Sequence, residues 1–105
     1  MLFTLALFAQ TPDFAPAADA FLGCLRATVQ MGMTTRMEPE AFRQGFAQSC
    51  REEEARFREA AIATAMQQGR SREEAVAEVD GNIANGRRVF AADQESYIRT
   101  GRVPR

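Results

Sequence analysis

The sequence predicts an all-α fold, a small three-helix domain whose first two helices form a hairpin. Apolar residues recur at spacings of three and four along most of the chain, proline and glycine stand where those runs begin and end, and a capping box opens the last run. At 105 residues the chain fits one domain. Folds of this size bury only about 60 to 65% of the surface their unfolded chains expose, so a covalent crosslink adds usefully to the core.

The amino terminus reads as a separate segment. "MLFTLALFA" is apolar except for Thr4, too short for the roughly 20 residues that span a bilayer but within the range of about 7 to 15 for a signal-peptide core. Residues 1–17 are therefore expected to be a signal peptide, cut after Ala9 or after Ala17, leaving 18–105 as a single helical domain with no stable membrane span. A surface helix would show an apolar stripe, whereas this run is apolar all round. Its lack of Lys and Arg leaves the positive start to the terminal amine alone.

The first helix is expected over about 16 to 34. Pro16 suits a first turn, and Ala18, Phe21, Leu22, Leu25, Val29 and Gly32 line one face. The second is expected over about 38 to 68, with Pro39 in its first turn, Glu38 and Glu40 near the positive end of the helix dipole, and Gly69 as its stop. Its apolar line is Phe42, Phe46, Cys50, Phe57, Ala60, Ala61 and Thr64. In the charged run "REEEARFRE", Glu52 with Arg56 and Glu54 with Arg58 make favourable four-residue pairs on a solvated face.

The third helix is expected over about 72 to 100. Ser71 and Glu74 form the capping box, Val76, Val79, Ile83, Phe90 and Tyr97 follow, and Gly101 and Pro104 close it. Gly81 and Gly86 each cost about 1 kcal/mol relative to Ala, so a bend or break is expected near 81–86. The stretch is no calcium loop, because Ala84 and Ala91 stand where that loop requires oxygen ligands.

A hairpin turning through "TTRME" decides how the cysteines meet. Cys24 and Cys50 each lie 13 residues from Met37, so with about 1.5 Å of rise per residue they arrive level on facing helices. A disulfide between them is expected, in keeping with export. Two cysteines without histidine match no compact structural zinc pattern, and neither a metal nor a cofactor is expected.

Composition narrows the function. The formal net charge is -1 and all 13 basic residues are Arg, which leaves no excess positive charge for nucleic acid. With no His or Lys for acid–base work near neutral pH, no phosphate loop and no nucleophile beside a base, an enzyme is not expected. Glu53 is the carboxylate that falls on the otherwise apolar face, at its rim or paired with an arginine such as Arg26 or Arg87. Arg87 and Arg88 themselves read as solvated.

What remains is a non-enzymatic exported protein, periplasmic or secreted, acting as an interaction or structural module on an unidentified protein partner or a second copy. Ile62 and Met66 lie opposite the core line of the second helix and need cover from the third helix or from another chain. Met31, Met33 and Met37 add adaptable apolar side chains at the hairpin tip. Two alternatives carry different consequences: a cytosolic thiol switch built on Cys24 and Cys50, and an acid-responsive envelope chaperone that opens when its 14 carboxylates are neutralised.

Overall fold

The computed structural model describes residues 13–104, and among these all regular structure is helical: α1 (Phe14–Thr34), α2 (Pro39–Phe46), α3 (Arg51–Gln67) and α4 (Arg72–Thr100). The apolar segment 1–9 and a cut after Ala9 lie outside the described residues. A cut after Ala17 would fall inside α1 and remove Phe14, whose ring packs 5.9 Å from that of Phe57. None of the described helices is long and apolar enough to cross a membrane.

The helix count is four because the expected second helix breaks at Ala47–Cys50. Pro39 and Glu38 start α2 as expected, the Glu38 carboxylate accepting from the backbone of Ala41 at 2.9 Å and Glu40 at 3.1 Å. The chain then leaves the helix through a turn in which Ser49 N–H donates to the Phe46 carbonyl at 3.0 Å, and Cys50 takes a left-handed conformation with φ 58°. For a residue with a side chain that conformation is costly, and no glycine or proline in "AQSC" announces it. Contacts from outside the segment hold it.

The chief of these is Arg87 on α4. Its Nη1 donates to Phe46 O at 2.8 Å, its Nη2 to Ser49 O at 2.7 Å, and its Nε to the Glu54 carboxylate at 2.8 Å. The guanidinium lies between the rings of Phe21 and Phe46, 5.6 and 5.5 Å from their centroids, where charge and ring quadrupole attract. With 13% of its side chain exposed, Arg87 is an interior residue rather than a solvated one. It occupies the next four-residue step after Ala75, Val79 and Ile83, all buried on α4. Arg88, by contrast, is exposed as expected.

Helix α4 runs unbroken through Gly81 and Gly86, so the expected break does not occur there. A Cβ at either glycine would meet nothing within 4 Å, so they provide no close helix contact. The cost of two glycines is spread over a 29-residue helix that buries Ala75, Val79, Ile83, Ala91 and Gln94. Its start is the Ser71–Glu74 capping box in both directions, at 3.0 and 3.1 Å, and Gly101 at φ 74° ends it.

Helices α1, α3 and α4 pack against one another along their length, and α2 packs chiefly on α4. Phe21, Leu25 and Val29 of α1 meet Ala61, Ile62 and Ala65 of α3 and the buried stripe of α4 in one core, with Phe42 and Phe46 closing one end. The result is an elongated body of 55 × 25 × 22 Å. At the α1–α2 turn, Gly32 lets the chain approach Phe42 closely, since a Cβ there would lie 2.5 Å from the ring. Fully buried Gln94 spans this corner, donating to Met37 O at 2.9 Å and Gly32 O at 3.3 Å.

Replacing Arg87 with Met keeps the apolar stem but strands Glu54 and the Ser49 carbonyl. Urea denaturation is expected to show a loss of roughly 2–3 kcal/mol. Arg87→Lys is expected to restore only part of it, because a point charge cannot reproduce the fork of donors.

Candidate functional site

Cys24 and Cys50 are joined, with Cα atoms 6.0 Å apart. The equal-height argument therefore holds even though Cys50 stands at the N-cap of α3 rather than inside one long helix. Thr28, one turn beyond Cys24, donates to the Cys24 carbonyl at 2.9 Å and lies 3.7 Å from Cys50 Sγ. The bond thus fastens the middle of α1 to the segment that Arg87 also grips.

Glu53, on the first turn of α3, is half-buried beside the disulfide, with a carboxylate oxygen within 4.8 Å of both sulfurs. The arginine paired with a glutamate here is Arg87, and its partner is the neighbouring Glu54, at 2.7 Å. Arg58 likewise turns away from its expected helical partner Glu54 and bonds Asp80 of α4 at 2.7 and 3.2 Å. Both rearrangements follow from packing: cross-helix partners are fixed by the fold, whereas four-residue pairs on an exposed face gain only about 0.2–0.5 kcal/mol.

On the same side of the molecule a groove of about 750 Å³ runs between α1 and α3. Its floor is made of small residues, Pro16, Ala17 and Ala20 from α1 and Ala60 and Ala63 from α3, and its rim carries Asp13, Glu53, Glu59 and Arg56. Three carboxylates against one guanidinium leave the rim at a formal charge of -2. The alanine floor follows from the sequence "EAAIATA", where small side chains recur on the side of α3 that faces α1.

The other candidate surface residues do not gather at one place. Ile62 is 1% exposed and belongs to the core, covered once α4 folds over α3. Of its two expected covers, the last helix supplies the one realised, so Ile62 is no interaction surface; α3 buries residues toward both α1 and α4. Met33 is half-buried against the core, while Met31, Met37 and Met66 are exposed. Met31 and Met37 sit at the α1–α2 turn and Met66 at the far end of α3. From the level of the disulfide, Met31 lies ~10 Å along α1 in one direction and Met66 ~24 Å along α3 in the other, so the methionines of the described residues form no single patch.

Three exposed carboxylates are held below their ordinary values. The side-chain hydrogen bond from Arg43 lowers Glu40, the backbone and hydroxyl of Ser71 lower Glu74, and the hydrogen bond from Arg58 lowers Asp80. A depressed folded-state value means stability that is present above the ordinary carboxylate range and is lost as the pH falls through the folded-state values. The melting temperature is accordingly expected to decline as the pH drops below the reference values of 4.5 for Glu and 3.8 for Asp. Asp80→Asn is expected to flatten part of that decline in a calorimetric pH series.

The disulfide closes a loop of 26 residues, which in the chain-entropy description corresponds to about 3.5 kcal/mol. The Cys24→Ser, Cys50→Ser double variant is expected to lose roughly that much in reversible denaturation while keeping most of its helicity by circular dichroism. Compared with protein-family models, with curated proteins and with solved structures, the chain matches none.

Proposed function

We propose that this protein is an exported, non-enzymatic helical interaction module whose α1–α3 groove takes an apolar helical segment with basic flanks. The groove carries the reading. Its small-residue floor lets a partner backbone approach closely, as interaxial distances depend on the side chains at the contact. Its rim of Asp13, Glu53 and Glu59 against Arg56 favours positive charge beside that apolar face. The disulfide and the Arg87 grip keep both walls in place before binding, which lowers the ordering cost of association.

Export is supported by the apolar run at residues 1–9 and by the crosslink, which persists in oxidising compartments. Phe14 belongs to the packed body, which favours a cut after Ala9 over one after Ala17. A second reading, a cytosolic thiol switch, draws on the left-handed Cys50 that the bond helps to hold. There, reduction would loosen the α2–α3 break.

Intact mass spectrometry of the protein from its own host, alkylated with and without reduction, separates these readings. A chain beginning at Gln10 with both cysteines blocked until reduced is the expected result; a full-length chain with two alkylated thiols would favour the switch. For the groove, the probe is a fluorescein-labelled amphipathic helix with a leucine and alanine face and arginine flanks. It is expected to bind the oxidised protein with micromolar affinity that weakens with salt. Ala20→Trp, which fills the exposed groove without entering the core, is expected to weaken it at least about tenfold, or by some 1.4 kcal/mol. Binding that is absent, or unmoved by Ala20→Trp, would sink the groove as the docking site.

A further inference from the structure

Cys50 and Glu53 occupy the N-cap and third positions of α3, so both project from its first turn, and Cys24 reaches the same point from α1. The two sulfurs and a Glu53 carboxylate oxygen lie within 4.8 Å of one another. We propose that the reduced form of this cluster binds a thiophilic divalent cation of the zinc class, through two thiolates and one carboxylate, with the fourth position open to solvent. The site is closed while the disulfide stands and opens when the bond is reduced.

The chemistry balances with a dithiol as reductant. Two electrons pass to the disulfide, its S–S bond breaks, two thiols form, and the dithiol becomes a disulfide. The incoming cation then displaces the two thiol protons to solvent. Borderline-soft cations favour thiolate, and zinc accepts carboxylate oxygen beside sulfur. Metal–sulfur bonds of about 2.3 Å and metal–oxygen bonds of about 2.1 Å at tetrahedral angles hold ligand atoms roughly 3.5–3.8 Å apart. The carboxylate oxygen already lies within 4.8 Å of both sulfurs, and the sulfurs, bonded at 2.02 Å in the oxidised form, separate to the ligand spacing by side-chain rotation once the bond is reduced.

One contact in the surroundings fixes the geometry of the cluster. Thr28 touches both cysteines, donating to the Cys24 carbonyl at 2.9 Å and lying 3.7 Å from Cys50 Sγ, the kind of supporting contact that orients metal ligands. Cys24 is half-buried, and its sulfur is the side from which a small dithiol approaches the bond. Sequence spacing alone gives no zinc pattern because the third ligand is a carboxylate and the two sulfurs lie 26 residues apart.

The test uses the whole protein, reduced with a phosphine, freed of it without oxygen, and titrated with Co²⁺ and then Zn²⁺. The expected result is a thiolate-to-cobalt charge-transfer band with tetrahedral visible bands, saturating at one ion and displaced by Zn²⁺. The oxidised protein is expected to stay silent. Glu53→Gln is expected to weaken binding at least about tenfold, and Cys50→Ser to abolish the band.

Circular dichroism accompanies each titration. If reduction unfolds the chain, Zn²⁺ is expected to restore helicity saturably, because binding and folding are then linked. No band and no refolding up to about millimolar ion, or a Glu53→Gln variant within twofold of the parent, would overturn the proposal. Either failure leaves the groove reading intact, since that is measured on the oxidised protein with a peptide.

Discussion

The fold depends on one guanidinium. Arg87 reaches from α4 into the turn after α2 and satisfies two carbonyls and the Glu54 carboxylate at once. A continuous helix from Pro39 to Gln67 would equal α4 in length, 29 residues each. It would carry Phe42 and Phe46 away from the end of the core they now close. The break turns α2 back onto α4 instead, and Arg87 supplies the polar partners that the interrupted backbone would otherwise lack. Its place between Phe21 and Phe46 ties the same charge to α1.

The disulfide holds the same turn at its other end. Cys50 is the last residue before α3 and the site of the positive φ, so the covalent bond and the charged hydrogen bonds act on neighbouring residues of one short segment. Gln94 has the corresponding role at the other end of α2, where its amide holds the carbonyls of Gly32 and Met37. Both corners of α2 are thus closed by polar side chains of a single helix, α4. Apolar burial supplies the bulk of the packing, and these few polar contacts decide where the chain turns.

Much of this was legible in the sequence. Periodicity located α1 and α4, the Ser71–Glu74 box marked the start of α4, and residue counting placed the cysteines level. The break at Ala47–Cys50 was not legible, because nothing local demands it; the signal lay 40 residues away, in Arg87 falling on the four-residue line of Ala75, Val79 and Ile83. A charged residue on that line reads as a solvated exception until something is known for it to bond. Ile62 was legible only as a residue needing cover, from the last helix or from another chain, because a helix packed between two others has no single apolar side and the sequence does not say which neighbour covers it. Glu53 was singled out correctly as an acid on an apolar face, but its neighbours, the two sulfurs and the groove, emerge only when α1 and α3 are laid side by side.

Helix α2 lies wholly inside the covalent ring closed by Cys24 and Cys50. It is therefore tethered at both ends yet docked chiefly on one neighbour, α4. Opening it as a sub-global unit has to expose Phe42 and Phe46 and break the Arg87 and Gln94 hydrogen bonds at its two corners. Because the ring limits how far it can travel, each opening ends in rapid return rather than escape. The crosslink that steadies the molecule as a whole thereby also limits the entropy its smallest helix gains on opening, which shortens that excursion and makes it rarer than in an uncrosslinked chain.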